Sequence, residues 1–228
     1  MANKNSIDLS LLRSIPLLHG ASDDHLQKLA AASSLRTAAS RTILFAEGSR
    51  VESLFILTRG TAELFSERDE RRFTIYVARG ARPLSVSSLL AERHPLSARI
   101  LEPSELLAVP AKLLVELIGR DAGLADALVR ELAAESLQII EDFKNHRLLN
   151  TTARIAHWML HQDRETGEDG QIVIPFDKRV LASYLGMTPE QLSRGFSTLV
   201  SAGVTVDGRS VTIASRAALT KVARRQEY

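Results

Sequence analysis

Residues 181–213, LASYLGMTPEQLSRGFSTLVSAGVTVDGRSVTI, predict two helices followed by a β-hairpin. Gly186 marks a tight turn between the helices, and Thr188 begins the second helix with a capping-box pattern. Two alternating β runs joined by Asp207 and Gly208 follow, and this dipeptide is a strong signal for a two-residue hairpin turn. Helix, glycine turn, helix and hairpin are the order of a winged helix-turn-helix.

The second helix has one apolar face and one polar face. Its apolar residues recur at spacings of four and three, which predicts a buried side made of Leu192, Phe196 and Leu199. The polar side carries Glu190, Ser193 and Arg194. Arg194 can donate two hydrogen bonds to a guanine, Glu190 can accept one from a cytosine, and Ser193 can contact a base or a thymine edge. These three residues are therefore predicted to read bases; a solvated polar face without a partner is the alternative.

The C-terminal segment that starts at residue 178 is basic. It holds eight Lys and Arg residues against three acids, whereas the whole chain has a net charge of only +2. The eight cations are Lys178, Arg179, Arg194, Arg209, Arg216, Lys221, Arg224 and Arg225. Clustered cations gain affinity for a polyanion by releasing its counterions, so this segment favours nucleic acid as a partner. A basic but merely solvated surface is the alternative.

The composition excludes several classes of protein. The 228 residues contain no cysteine, which excludes disulfides, thiolate catalysis, cysteine-ligated zinc and iron–sulfur clusters. No signal peptide or membrane-spanning run is present, so we expect a cytoplasmic protein without a membrane partner. Glycine-rich phosphate loops and nucleophile motifs are also absent, and the sequence predicts no enzyme. The paired acids read as turn and cap residues: Asp23, Asp24, Asp69 and Glu70.

The N-terminal part predicts short helices followed by a compact antiparallel β structure. Residues 8–33 are helical in pattern, with Ser22 as an N-cap. Between residues 42 and 109, six or so short β runs are separated by turns, three of them at Gly48, Gly60 and Gly80.

A long helix is predicted over residues 121–147, followed by another amphipathic helix over 151–162. The long helix has an apolar stripe made of Leu124, Leu128, Leu132, Ile139, Ile140 and Phe143. Ser136 interrupts the heptad where a coiled-coil seam would need an apolar residue. A core helix and a dimer helix are both compatible with this pattern, and we favour the dimer.

Over nearly its full length the chain resembles the CRP/FNR family of dimeric bacterial transcription regulators. The stretches that carry the resemblance are LLRSIPLLHGASDDHLQKLAAAS (11–33), ILFAEGSRVESLFILTRGTAEL (43–64), the long helix and residues 181–213. The resemblance implies an α+β fold: a sensor domain over 1–120 built as a cyclic-nucleotide-binding-like jelly roll (a β-roll), a dimerisation helix over 121–148 and a winged helix-turn-helix over 149–228. It also implies a homodimer with double-stranded DNA and RNA polymerase as partners.

The resemblance further implies a particular DNA site. Glu190, Ser193 and Arg194 match the Glu-x-x-Ser-Arg pattern of the FNR-like branch, which also includes nitric-oxide regulators. That branch reads TTGAT-type half-sites, so we expect a palindrome of two such half-sites. Thr188 would contact a phosphate, because its position borders the DNA backbone.

The family's cAMP pocket is not preserved. A Gly-Glu pair that binds the ribose falls on Leu84-Ser85, and an Arg-Ser/Thr pair that binds the cyclic phosphate falls on Pro95-Leu96 or Leu96-Ser97. Both the glutamate and the arginine are missing. Burying the phosphate without its cation is costly, so we expect no cAMP binding and a signal other than cAMP.

Haem is the remaining cofactor candidate, through which a gas such as nitric oxide or oxygen could be sensed. Its axial ligand would come from the sensor half, where His19, His25 and His94 lie. His157 and His161 have a zinc-compatible spacing but lack a third ligand, so packing beside Trp158 is favoured and no metal site is predicted. A constitutive regulator without an effector remains open, as does a β-roll module whose C-terminal domain docks a protein.

Overall fold

The computed structural model describes residues 7–69 and 71–224, and the chain folds as two compact units that meet within a helix, between Leu137 and Gln138. The N-terminal unit begins with the helices α1 (Leu9–Ser14) and α2 (Asp23–Ala32). After its β-strands come α3 (Ala111–Ile118) and the first part of α4 (Ala122–Leu148). The expected α+β class and the β-roll are confirmed.

Two four-stranded antiparallel sheets form the β-roll. The strands are β1 (Ser34–Ala38), β2 (Ile43–Phe45), β3 (Ser53–Arg59), β4 (Thr61–Arg68), β5 (Arg71–Arg79), β6 (Arg82–Pro83), β7 (Ser97–Ile100) and β8 (Ser104–Pro110). Their orders are β1-β8-β3-β6 and β2-β7-β4-β5. The prediction missed β1, which is almost wholly exposed and shows no apolar alternation, and the two-residue β6. Backbone pairing with β8 makes β1 a strand, and its side chains carry no signal of that pairing.

Two apolar cores stabilise this unit. One lies between the sheets, where side chains from both meet: Phe45, Leu57, Ala62, Leu64, Ala78, Leu84, Ala98, Ile100 and Leu106. The other lies between the sheet with the order β1-β8-β3-β6 and the helices, and α4 contributes Leu124 and Leu128 to it. Burial of these side chains removes apolar surface from water, which is the main favourable term in folding.

Asp121 connects the start of α4 to the start of α2. Its carboxylate accepts hydrogen bonds from the backbone N–H groups of Ser22 at 3.0 Å, Gly123 at 2.9 Å and Leu124 at 3.2 Å. It also lies 2.6 Å from His25 Nδ1. The Ser22 and His25 hydrogen bonds hold the pKa of Asp121 well below its usual range. Helix α2 starts where Ser22 predicted it, but the Ser22 hydroxyl makes no capping bond.

The predicted apolar stripe of α4 does not form one continuous buried face. Leu124 and Leu128 are buried in the core of the β-roll unit, whereas Ile139, Ile140 and Phe143 are between 55% and 64% exposed. Only the first part of the helix packs on the β-roll core, and Ile140 lies about a third of a turn around the axis from Leu128, so the predicted stripe combines residues of two faces. The bounds of the helix itself, 121–147 in the prediction, agree with the structure to within one residue at each end.

The paired acids of the N-terminal unit lie on its surface. Asp23 pairs with Arg13, and Asp24 pairs with Lys28 at 2.5 Å. Asp69 lies in the turn after β4 with a positive φ of 51°, and Glu70 is outside the described residues. These contacts agree with cap and turn roles.

His94 is buried in the N-terminal unit. Its ring stacks on Phe45 at a centroid distance of 3.9 Å, and its buried Nδ1 has no hydrogen-bond partner within residues 7–69 and 71–224. Burial lowers the pKa of His94, because the charged imidazolium would lose its hydration.

We therefore expect the free energy of unfolding to depend on pH through His94. The unfolded chain takes up this proton near the ordinary histidine pKa of about 6.5, whereas the folded chain resists it until a lower pH. The contribution of His94 to stability is thus fully present above about pH 6.5 and is lost as the pH falls from there towards the lower pKa of the folded chain. The variant His94→Phe keeps the stack on Phe45 and cannot titrate. Between pH 7.5, 6.5 and 5.5, the free energy of unfolding measured with urea should fall less for the variant than for the wild-type protein. Equal decreases in the two proteins would show that His94 does not cause the pH dependence.

The C-terminal unit contains the end of α4 and the rest of the chain. Its elements are α5 (Thr151–Glu165), β9 (Gln171–Val173), α6 (Lys178–Tyr184), α7 (Pro189–Leu199), β10 (Val204–Asp207), β11 (Ser210–Ile213) and α8 (Arg216–Ala223). The strands form one sheet in the order β10-β11-β9. Helix α8 was not predicted, although Ser215 caps it by accepting a hydrogen bond from Ala218 N–H.

Candidate DNA-binding surface

Helices α6 and α7 form the predicted helix-turn-helix. Asp177 caps α6 by accepting a hydrogen bond from Arg179 N–H at 2.7 Å. Gly186 in the following turn has a positive φ of 63°, a conformation that costs a residue with a side chain more than it costs glycine. A Cβ at this position would also lie 2.6 Å from His146 Nδ1. Both the turn and the neighbouring side chain therefore require glycine at position 186.

The start of α7 is fixed by a complete capping box. The Thr188 hydroxyl accepts a hydrogen bond from Gln191 N–H at 3.2 Å, and Gln191 Oε1 accepts one from Thr188 N–H at 2.9 Å. Pro189 occupies the first turn, where its missing N–H is not needed. Two of the otherwise unpaired amides at this helix end are thus satisfied, which holds the first turn of α7 in one conformation.

The apolar face of α7 is buried as the sequence predicts. Leu192, Phe196 and Leu199 are all less than 8% exposed. Gly195 lies between them against α5, where a Cβ would overlap the Ile155 side chain. The close approach of α7 and α5 at Gly195 leaves the opposite side of α7 facing solvent.

Glu190, Ser193 and Arg194 lie together on that exposed side. Glu190 accepts a hydrogen bond from the Thr188 side chain, which together with the nearby Arg194 charge lowers the pKa of Glu190. Glu190 is therefore an anion at neutral pH and acts as a hydrogen-bond acceptor only. Ser197 is also exposed on this side, one turn after Ser193, and its hydroxyl donates to the Ser193 carbonyl at 3.2 Å.

The cations of the basic segment do not all remain available. Arg216 donates to the buried Asp163 at 2.5 Å and lies near Glu168, so it stabilises the fold. Arg209 Nε donates to the Ile174 carbonyl at 2.7 Å, and Lys178 Nζ lies 5.6 Å from the Phe196 ring centre. Arg225 is outside the described residues. Arg179, Arg194, Lys221 and Arg224 are exposed. Because Arg216 is matched by acids that lie before residue 178, the excess of five positive charges in this segment overstates the charge offered to a partner.

The wing is a three-stranded sheet. Strands β10 and β11 pair from Val204–Ile213 to Asp207–Ser210, so the two turn residues are Gly208 and Arg209. The predicted turn at Asp207 and Gly208 was wrong by one residue, because Asp207 still pairs with Ser210. Strand β9 adds to β11, and the Arg209 guanidinium reaches back to the segment after β9.

The last turns of α4 pack on the helix-turn-helix. The Tyr184 hydroxyl donates to Asp142 Oδ2 at 3.1 Å, and the His146 ring lies against Gly186. Burial raises the pKa of Asp142 and lowers the pKa of His146. These contacts were not visible in the sequence, because they join residues about 40 positions apart. They fix the end of α4 to the helix-turn-helix.

His157 and His161 do not form a metal site with their neighbours. His157 Nδ1 lies 3.4 Å from Asn145 Nδ2, and its Nε2 lies 4.0 Å from Glu141. Within residues 7–69 and 71–224, no group of three or more His, Asp or Glu side chains could hold a metal ion.

The three haem-ligand candidates have unrelated surroundings. His19 is exposed, His25 is paired with Asp121, and His94 is buried against Phe45. A cavity of about 610 Å³ in the N-terminal unit is lined by none of them; it has a basic edge formed by Arg50, Arg93 and Lys112. An axial ligand needs a ring nitrogen that faces an open space for the porphyrin. None of the three candidate histidines lines this cavity, and haem ligation stays a prediction.

The positions that correspond to the cAMP pocket hold no cation. Leu84 is buried in the core between the sheets, and Ser85 adopts a left-handed conformation with a φ of 62°. The Ser97 hydroxyl accepts a hydrogen bond from Glu47 N–H at 2.9 Å. The phosphate of a cyclic nucleotide would therefore meet no arginine at these positions.

A β-roll in one unit and a winged helix-turn-helix in the other define a DNA-binding regulator with a sensor-type domain. Comparison with known families agrees with this class: residues 35–121 match the cyclic nucleotide-binding domain, and residues 153–222 match the Crp-like helix-turn-helix domain. The chain belongs to the CRP/FNR family of transcription regulators. It is a regulator and not an enzyme.

Individual relatives support the same conclusion. The chain is 25% identical over 187 residues to the anaerobic regulatory protein of Pasteurella multocida, an alignment that covers 79% of this chain and 68% of the relative. It is 24% identical over 191 residues to the fumarate and nitrate reduction regulatory protein of Escherichia coli, covering 79% and 74%. The structure of FixK2 from Bradyrhizobium japonicum has the same fold, with a TM-score of 0.77 at 20% identity over 85% of this chain and 98% of that one. No helix in the described parts of the chain is long and apolar enough to span a membrane.

Proposed function

We propose that this protein binds a palindrome of two TTGAT-type half-sites as a homodimer and regulates transcription from it. The observation that carries the proposal is the exposed first half of α7, where Glu190, Ser193 and Arg194 share one face. A complete capping box and a buried apolar face hold these side chains on a rigid helix. Rigid presentation is what base reading in the major groove requires.

The three side chains have complementary hydrogen-bonding chemistry. Arg194 offers two parallel donors for the O6 and N7 atoms of a guanine. Glu190, held as an anion by Thr188 and Arg194, offers acceptors for the amino group of a cytosine. An exposed carboxylate near DNA phosphates is unfavourable unless it finds a donor, so its position beside Arg194 supports base reading over backbone binding. Thr188 is exposed at the helix start, and to bind a phosphate its hydroxyl would exchange Glu190 for the DNA backbone.

The homodimer is supported by a second, exposed face of α4. Val129, Ala133, Ser136, Ile140 and Phe143 are all exposed and recur at spacings of four, three, four and three. This is the spacing of a coiled-coil seam, in which Ser136 is the one polar member. Ala133 and Ser136 are small, so two copies of the helix can approach closely at this point. A partner helix would remove Ile140 and Phe143 from water, which favours association.

We further propose that the signal is something other than cAMP, because the pocket positions lack the two charged side chains that would bind it. The surroundings of His19, His25 and His94 give haem no support, so no step of the proposal involves haem. RNA polymerase is the expected partner at the promoter, and the cytoplasm is the expected location.

The direct test is a titration of labelled duplexes with the purified full-length protein at fixed salt. One duplex carries two TTGAT half-sites as an inverted repeat, centred about one helical turn apart; the other has the same bases in scrambled order. We expect binding to the palindrome to be at least about 1,000-fold tighter, with two chains on each duplex. Equal and weak binding to both duplexes would support the rival function, in which the C-terminal unit docks a protein partner.

A further inference from the structure

A carboxylate of α4 is hydrogen-bonded to the segment of the β-roll that corresponds to the nucleotide pocket. That segment is a short 3-10 helix, Val86–Leu90, which follows Leu84 and Ser85. Glu135 Oε1 accepts a hydrogen bond from Val86 N–H at 3.0 Å, and the Glu135 carboxylate also accepts one from Ser87 N–H. No side chain of the preceding residue caps these amides. Glu135 therefore supplies the acceptor that the segment itself lacks.

Glu135 lies in an environment that removes water from its carboxyl group and supplies two backbone donors in return. Its side chain is partly buried between α4 and the β-roll, and burial raises the pKa of Glu135 while the two amide donors act in the opposite sense. Tyr76 lies near Glu135 and Glu131, and Arg82 donates to the Tyr76 hydroxyl at 3.1 Å. Exchanging water for two backbone donors compensates a carboxylate for lost hydration, which explains how Glu135 is tolerated at this position.

Ser85 shows that the segment is held in a demanding conformation. Its φ of 62° and ψ of 69° lie in the left-handed region, which residues other than glycine rarely adopt. Such a conformation persists only when neighbouring contacts hold it. The Ser85 carbonyl accepts from Ser88 N–H and from the Ser88 hydroxyl, and Glu135 binds the two intervening amides. Glu135 is thus the contact from the long helix that holds this turn.

We propose that Glu135 takes the place of an effector: its carboxylate fixes the Ser85–Leu90 segment to α4, so that the chain reaches its DNA-binding state without a bound nucleotide. Ser85 falls where the resemblance places the ribose-binding glutamate, and next to this position α4 supplies a carboxylate to the segment's amides. An anionic ligand would meet the charge of Glu135 and find its amide donors already used. The same residue thus excludes a cyclic nucleotide and makes one unnecessary.

The proposal rests on DNA binding as the proposed function, since α4 carries both this contact and the dimer seam. Leu124, Leu128 and Glu135 attach one part of the helix to the β-roll, and Ile140 and Phe143 lie on the exposed face. Loss of the Glu135 contact leaves the apolar contacts of Leu124 and Leu128 intact. We therefore expect a chain that still folds, but whose α4 is no longer held in one position against the β-roll.

The test compares Glu135→Ala with the control Asp126→Ala, which removes an exposed carboxylate from the same helix. Asp126 pairs on the surface with Arg130 of α4, so its loss leaves the β-roll segment untouched. We expect Glu135→Ala to speed amide hydrogen exchange at Val86 and Ser87 by about tenfold or more, and to weaken binding to the palindromic duplex by a similar factor. Asp126→Ala should change neither. Glu135→Gln keeps an acceptor oxygen without the charge, so its exchange rates and its DNA affinity should lie between those of Glu135→Ala and Asp126→Ala. This variant keeps the test informative if Glu135→Ala folds poorly.

The outcomes separate this inference from the proposed function. If the wild-type protein, without added ligand, shows no preference for the palindrome, the proposed function fails. If it binds the palindrome and Glu135→Ala binds equally well, with unchanged exchange at Val86 and Ser87, only the role of Glu135 is overturned. A palindrome affinity of the wild-type protein that rises on addition of cAMP would also overturn it.

Discussion

Replacing Ile140 with glutamate is expected to convert the dimer into a monomer and to lower its affinity for the palindromic duplex by about 100-fold or more. Ile140 is 55% exposed near the end of the heptad-spaced face of α4, close to Phe143. In the dimer each introduced carboxylate would be buried against an apolar partner with no cation to pair with, which is strongly unfavourable. A monomer has one α7 and can occupy only one half-site, so the gain in affinity from binding two half-sites together is lost. Sedimentation measures the first effect and duplex titration the second.

A control for this variant is Ile43→Glu. Ile43 is 49% exposed on β2 of the β-roll, and it lies outside both α4 and the Ser85–Leu90 segment. The same change there should leave both the molecular mass and the DNA affinity unchanged. If Ile140→Glu stays dimeric at micromolar concentration, the seam is not the dimer interface, and the proposed arrangement of α4 is wrong.

Replacing Arg194 with alanine is expected to cost about 1–3 kcal/mol for each half-site and to remove the preference for guanine there. The reason is geometric: a guanidinium donates to two guanine atoms at once, and no other base offers this pair of acceptors in the major groove. The measurement uses two duplexes, the palindrome and a copy in which the guanine of each half-site is replaced by adenine. The wild-type protein should bind the palindrome clearly more tightly than the adenine copy, whereas Arg194→Ala should bind both duplexes with similar affinity.

Arg179→Ala is the control variant for Arg194→Ala. Arg179 is also an exposed cation, but it lies on α6 and not on the side of α7 that carries Glu190 and Arg194 (the reading face). A phosphate contact there would weaken binding to every duplex about equally and reduce the salt slope by about one. If Arg194→Ala behaves in this same uniform way, Arg194 contacts the backbone, and its assignment to guanine fails.

The fold was predictable because its local signals agree with each other. The capping box at Thr188, the glycine turn at Gly186 and the alternation of the wing each specify one local structure, and together they fit one arrangement. The winged helix-turn-helix and the long helix therefore followed from residues within short stretches. Strand β1 did not, because only its pairing with β8 makes it a strand.

The reading face was predictable for a related reason. Helical spacing alone places Glu190, Ser193 and Arg194 together, and the structure shows all three exposed. The count of cations was less informative: it could not show that Arg216 neutralises Asp163 across 53 positions. The number of cations can be counted in the sequence, whereas the number of cations available to DNA depends on which ion pairs form in the folded protein.

Long-range polar contacts escaped the sequence analysis altogether. Asp121 binds Ser22 N–H from 99 positions away, and Glu135 binds Val86 N–H from 49 positions away. Each acid looks like an ordinary surface residue of a helix, since nothing near it in the chain identifies its donor. The buried and exposed apolar residues of α4 were combined in one stripe for a similar reason: hydrophobicity identifies both Leu128 and Ile140, but it does not show that the first is buried on the β-roll core and the second is exposed.

Selection from a library of random duplexes with the wild-type protein shows whether a symmetric dimer reads a specific DNA sequence. Repeated selection is expected to enrich an inverted repeat, with a guanine at the same position of each half-site and half-site centres about one helical turn apart. Enrichment of no sequence, or of a single site without two-fold symmetry, would contradict this expectation.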